Sequence, residues 1–141
     1  MNGIRRARRA DIQAMAEIVY GWEVTTDWMP GGSSVGAIAK VIDQAFDTRE
    51  IYVVGEPVDG YLSLNPNEAK IGALYMTRRG QGIGKAMIDL AKDGRDFLWL
   101  QTHQPNLEAH RFYRREGFLI TGELPPDGAG EPPQYRMEWR G

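Results

Sequence analysis

A chain of 141 residues suits one domain, residues 1–141, and leaves no room for a second folded unit. Its 17 Lys plus Arg against 19 Asp plus Glu give a net charge of −2, which excludes a general affinity for polyanions; nucleic acid is not an expected partner, and any anion site must be local. There is no cysteine, which excludes disulfides, thiolate metal sites and a covalent cysteine intermediate, and no apolar run approaches the ~18 residues of a membrane span, so a soluble protein is expected, with the cytoplasm as the default location.

In chain order, Ile4 to Ala10 reads as a short strand and Asp11 as the N-cap of a helix whose Ile12, Met15, Ala16 and Val19 share one face. Trp22 to Gly32 reads as irregular. Ser33 or Ser34 then caps a second amphipathic helix through Val35, Ile38, Ala39, Ile42 and Phe46. Ile51–Val54, Gly60–Leu64 and Lys70–Met76, separated by Pro-Asp-Gly and Asn-Pro-Asn turn signals, predict an antiparallel meander. A third helix carries Ile83, Ala86, Met87 and Leu90, a strand follows over Phe97–Gln101, and Asn106 opens a fourth helix that Gly117 ends. Phe118–Thr121 and Gln134–Trp139 close the chain as a strand pair around a Pro- and Gly-rich loop. The order β-α-α-β-β-β-α-β-α-β-β predicts a mixed α/β (α+β) fold, one mostly antiparallel sheet of about seven strands with about four helices.

Glycine is in excess, 17 residues or about 12 % against a usual ~7 %. Three of them stand in Arg79-Gly80-Gln81-Gly82-Ile83-Gly84, between a strand and a helix. Such a turn aims successive N–H groups at one point beside a helix N-terminus, which suits a phosphate or pyrophosphate, and Arg78, Arg79 and Lys85 add positive charge. The P-loop pattern fails here, because Arg79 stands where it needs glycine and Ala86 where it needs a hydroxyl; the dinucleotide pattern fails at Met87.

The spacing that does fit is Arg79-x-x-Gly82-x-Gly84. It resembles the cofactor motif of the GNAT superfamily of acetyl-CoA-dependent N-acetyltransferases. Asn106-x-x-Ala109-x-x-Phe112-Tyr113-x-x-x-Gly117-Phe118 resembles a second segment of that family, in the correct order and at the correct distance. The opening strand-helix pair and the closing strand Gln134–Trp139 are also similar, so the likeness spans essentially the whole chain. It departs from the family in one place: about two residues are absent between Met76 and the Arg78-Arg79 pair, which shortens the turn.

The resemblance implies transfer of an acetyl group from acetyl-CoA, as cosubstrate and without a metal, to a primary amine of a small molecule or peptide by direct attack in a ternary complex. It places the pantetheine arm along Leu74, Tyr75 and Met76, the pyrophosphate at Arg78, Arg79, Gly80, Gln81, Gly82, Ile83, Gly84 and Lys85, and Asn106 either on pantetheine or capping its helix. Tyr113 matches the tyrosine near the cofactor sulfur and is the expected general acid, since a phenol stays protonated at neutral pH. Glu23 and His103 are the expected bases, with Asp27 and Glu131 further candidates. Trp22, Trp28, Met29, Pro30 and Tyr75 are candidates to line an acceptor pocket. A non-catalytic CoA-binding regulatory module is the alternative, and a homodimer is compatible with the sequence.

Overall fold

The computed structural model describes residues 3–78 and 80–141. A sheet of 7 strands is formed by β1 (Arg5–Arg6), β2 (Glu50–Val54), β3 (Gly60–Asn65), β4 (Lys70–Met76), β5 (Phe97–His103), β6 (Leu119–Leu124) and β7 (Gln134–Arg140), with helices α1 (Ile12–Thr25), α2 (Val35–Ala45), α3 (Ile83–Lys92) and α4 (Leu107–Arg115). The spatial order is β1-β2-β3-β4-β5-β7-β6. Neighbours are antiparallel except β4 and β5.

Helical and strand periodicities bury two apolar faces, one on each side of the sheet. On one side Ile12, Met15, Ala16, Val19 and Ile38 of α1 and α2 pack on Ile51, Val53 and Tyr61. On the other, Ile83, Met87, Ile88 and Ala91 of α3 and Tyr113 of α4 cover Leu62, Leu64, Ile71, Leu98, Leu100 and Met137. Met15, Leu62, Met87 and Leu98 are fully buried, each contributing about 1.5–3 kcal/mol of transfer free energy.

Two local expectations are corrected. The opening strand is only Arg5–Arg6, and Arg9–Asp11 wind into a 3-10 turn. The Asp11 carboxylate accepts from the Arg8 N–H at 2.7 Å and from the Arg5 guanidinium at 2.8 and 2.9 Å, so its side chain closes that turn; Asp11 also stands at the N-cap of α1, as expected, without a side-chain bond to that helix. The first helix also runs past Gly21 to Thr25. The Thr26 hydroxyl donates to the Trp22 carbonyl at 2.5 Å, serving a carbonyl at the helix end whose usual donor, the Thr26 N–H, turns to Glu23, and the Thr25 hydroxyl adds a bond to the Gly21 carbonyl at 2.7 Å. Trp22 and Glu23 are therefore helical residues. The cap of α2 is Ser34, whose hydroxyl accepts from the Ala37 N–H at 3.0 Å.

β4 and β5 pair only at Lys70↔Trp99 and Ile71↔Leu100. The register on the other side of β4 explains why: Ser63 faces Ala73 while Leu64 faces Ile71, so Gly72 is an extra residue, a bulge that bends the strand away. Beyond Gly72 the two strands diverge and a cleft opens between them.

Candidate active site

The cleft, of about 1580 Å³, is lined by the ends of β4 and β5, the turn into α3, the starts of α3 and α4, the end of α1 and the loop before β7. Its β4 wall is main chain. The Thr77 N–H donates to the Asp59 carbonyl at 2.9 Å, which makes Met76↔Gly60 a pair whose own N–H and C=O groups point away from each other. By the alternation of the ladder Leu74 behaves likewise. The backbone groups of Leu74 and Met76 thus face the cleft, while those of Tyr75 bond to β3.

One end of the cleft is the glycine turn. Gly80 and Gly82 have φ of 75° and 72°, and a Cβ built on either meets nothing within 4 Å. Their positive φ requires glycine, and the open space leaves the backbone approachable. Gly82 is the N-cap of α3, and no side chain among the described residues caps that helix. The first internal bond is from the Ala86 N–H to the Gly82 carbonyl, so the N–H groups of Ile83, Gly84 and Lys85 have no acceptor within the helix, the arrangement that suits an anion. Gly84 has a different reason: a Cβ there would lie 3.1 Å from Phe112 Cζ, so this glycine lets α4 pack on α3. Arg78 is bound to Asp59 at 2.6 Å and donates to Gln81 Oε1 at 3.2 Å, tying the shortened turn back to the β2–β3 connection. Lys85 bridges Asp89 at 3.4 Å and Glu116 at 3.5 Å. Arg79 lies outside the described residues.

Across from the glycines, Asn106 Oδ1 accepts from the Ala109 N–H at 3.2 Å. The asparagine caps α4 and lines the cleft as well. Tyr113 also lines it, buried to 8 % exposure and edge-on to Phe118. Burial, with Tyr75 nearby, raises the Tyr113 phenol above its ordinary pKa, so it holds its proton. Arg111, Arg114 and Arg115 are exposed, and of these Arg115 borders the cleft.

The other end is aromatic and acidic. Trp22 stands edge-on to Trp28 and to Tyr75, both at 5.7 Å between centroids, and the rings of Trp22 and Trp28 lie 5.9 and 5.2 Å from that of His103. His103 Nε2 lies 3.2 Å from Glu131 Oε1; a carboxylate oxygen accepts, so Nε2 is the donor of this bond. The His103 carbonyl accepts from His110 Nε2 at 3.1 Å, fixing the end of β5 to α4. Burial, and then the charge of Glu131, raises the pKa of Glu23. Burial, then the charges of Glu23 and Glu131, pushes Tyr75 up to about 12. Both expected bases, Glu23 and His103, thus reach one cleft with Tyr113. Asp27 lines its rim, as do Met29 and Asp127, while Pro30 is not part of the wall.

Sequence reading missed two wall residues. Thr102 and Gln134 are 5 % and 2 % exposed and line the cleft, and Thr102 Oγ1 and Gln134 Nε2 have no partner among the described residues. The two-residue period of a strand puts Thr102 on the same, buried face of β5 as Leu98 and Leu100. Among the described residues no three His, Asp or Glu are grouped as metal ligands would be, and no helix is long and apolar enough to cross a membrane.

Residues 47–119 match the family described as acetyltransferase (GNAT) domain. The chain is 37 % identical over 110 residues to peptidyl-lysine N-acetyltransferase YjaB of Salmonella typhimurium, covering 78 % of this chain and 66 % of that relative. Its fold is similar to that of the Salmonella typhimurium acetyltransferase yncA bound to acetyl-CoA, with a TM-score of 0.73, 19 % identity and coverage of 97 % and 92 % of the two chains. It is likewise similar to a phosphinothricin acetyltransferase from Sinorhizobium meliloti in complex with acetyl-CoA, with a TM-score of 0.76, 18 % identity and coverage of 99 % and 89 %. With the glycine turn, the diverging strands and a family match over more than half its length, the chain belongs to the GNAT acetyltransferases.

Proposed function

We propose that this protein is an N-acetyltransferase that moves an acetyl group from acetyl-CoA to a primary amine by direct attack, in the cytoplasm. The observation that carries the reading is the cleft at the Gly72 bulge, with main-chain groups of Leu74 and Met76 on one wall, uncapped N–H groups of α3 at one end and Tyr113 beside it. These groups suit the cosubstrate part by part. The N–H groups of Ile83, Gly84 and Lys85 and the open backbone at Gly80 and Gly82 would hold the pyrophosphate. Leu74 and Met76 would pair with the amides of the pantetheine arm as a sheet edge pairs with a strand, and Asn106 borders the same path.

Acetyl-CoA supplies an activated acyl group whose thioester carbon accepts the amine. The chain's residues manage the protons. An ammonium ion has no lone pair, so Glu23 and Glu131 draw it in, and His103 takes its proton while Glu131 stabilises the imidazolium. Glu23, with its raised pKa, is a second acceptor through water. The Met76 N–H would donate to the oxyanion. As the C–N bond forms and the C–S bond breaks, the Tyr113 hydroxyl gives its proton to the departing sulfur, and the second proton that the nitrogen sheds on becoming an amide returns through water to the Tyr113 phenolate.

The test is release of CoA from acetyl-CoA on adding a panel of primary amines, beside a calorimetric titration of acetyl-CoA alone. Binding with amine-dependent release supports the enzyme. Binding without release from any amine overturns it in favour of a CoA-binding module.

A further inference from the structure

Beside the main cleft lies a second cavity of about 490 Å³ between α1, α2 and the sheet. Val19, Ile38, Val41, Ile42, Ile51 and Tyr61 supply the large apolar side chains of its lining, and its volume is in the range of small-molecule sites. Glu23, Gly72, Ala73 and Tyr75 border both cavities. Two of these shared residues carry little bulk, since Gly72 has no side chain and Ala73 only a methyl group; a Cβ built on Gly72 would meet nothing closer than the Ser63 carbonyl at 3.9 Å. Val41 at the rim of the second cavity is 66 % exposed, so an apolar wall faces solvent at one end and the cleft at the other. The charges along this path are uneven. Glu23 stands at the junction with no cation partner among the described residues, and Arg49 borders the second cavity.

We propose that the second cavity is the subsite for an apolar arm of the acceptor, so that the amine acetylated here carries an alkyl or arylalkyl group lying past Tyr75 while its ammonium rests against Glu23. This rests on the transfer reaction proposed above. An apolar arm gains from leaving water against Ile38, Val41 and Ile42, whereas a second ammonium in that place would be repelled by Arg49 and would lose its hydration against apolar walls. The edge-to-face rings of Trp22 and Tyr75 at the junction suit the alkyl carbon next to the ammonium.

The experiment compares n-hexylamine with ethylamine, amines of equal basicity that differ only in apolar length. Wild type is expected to prefer hexylamine in kcat/KM by a factor on the order of 100, from the four added methylenes. Ala37→Phe, which fills the cavity from α2, should bring hexylamine down to the level of ethylamine and leave ethylamine and acetyl-CoA binding unchanged. Val41→Asp, at an exposed position that cannot unfold the core, should lower the hexylamine value at least about ten-fold by charging the rim. Calorimetric titration of hexylammonium into the protein with CoA reads the subsite without turnover. No release of CoA with any amine, while hexylammonium binds wild type and not Ala37→Phe, upholds the subsite and overturns the transfer reading. Equal use of the two amines, equal loss of both in Ala37→Phe, or preference for spermidine or a lysine peptide over hexylamine overturns the subsite.

Discussion

His103 and Glu131 meet at 3.2 Å from two separate parts of the chain, the end of β5 and the loop before β7. The carboxylate accepts from Nε2, while His110 fixes the backbone of the same residue. His103→Gln is expected to lower kcat by about 10²–10⁴, and Glu131→Gln by about ten-fold, since it removes the partner of the imidazolium and not the base. Acetyl-CoA affinity should stay as in wild type for both. Steady-state CoA release together with calorimetry checks this, and an unchanged kcat in His103→Gln would sink the assignment. Glu131→Gln should also lower the pKa of Glu23, because the Glu131 charge is one of the two causes that raise it; a carbon NMR titration of the Glu23 carboxyl reads that shift.

Tyr113 separates chemistry from binding. Tyr113→Phe deletes one hydroxyl and keeps the ring that packs on Phe112 and Phe118, so the melting temperature should move little. If the phenol protonates the leaving sulfur, turnover falls by about 10²-fold or more with acetyl-CoA affinity nearly unchanged. A thiol of lower pKa than CoA on the acyl donor should restore part of the rate, because it departs without a proton; no such recovery would mean that the hydroxyl acts elsewhere.

Three glycines of one motif should fail for two reasons. Gly84→Ala puts a Cβ 3.1 Å from Phe112 Cζ, and forcing α4 away should cost about 1–3 kcal/mol. Gly80→Ala and Gly82→Ala meet no atoms, but their φ of 75° and 72° costs an L residue about 1–2 kcal/mol. Phe112→Leu in the background of Gly84→Ala should therefore recover stability and should do nothing for Gly82→Ala. Urea denaturation of the set measures this, and an additive Gly84→Ala, Phe112→Leu pair would refute the packing account.

What was legible in the sequence was local. Gly80, Gly82, Asn106 and Ser34 announce turns and caps through residue type and spacing, and one end of the cleft follows from them. The strand at Lys70–Met76 was readable as a strand, but its bulge at Gly72 depends on which residues of β3 it meets, and that register is tertiary. The acceptor end was legible only in its parts. Trp22 and Glu23 read as loop because Gly21 suggested a stop, whereas side-chain bonds from Thr25 and Thr26 carry the helix onward. Glu131 lies in a Pro- and Gly-rich loop with no periodicity to direct its side chain, and only folding brings it to His103. Thr102 escaped for another reason: the expected strand ended at Gln101, one residue short of it, whereas β5 runs on to His103.

The last prediction concerns the start of the chain, where Asp11 replaced the expected strand with a capped turn. Its carboxyl is held at about 2, below the ordinary 3.8, chiefly by the Arg5 guanidinium. A carboxyl whose pKa is lower in the folded than in the unfolded protein adds stability that is complete above the unfolded value and is lost as pH falls through the folded one. The loss should therefore run from about pH 4 down to about pH 2. Arg5 is 32 % exposed, so solvent screening brings the expected contribution to about 1–2 kcal/mol at neutral pH. Asp11→Asn should be less stable than wild type by that amount at pH 7, and the difference should shrink toward zero at pH 2. Urea midpoints at pH 7, 4 and 2 measure it, and a gap that stays constant with pH would show that Asp11 acts through its shape and hydrogen bonds, not its charge.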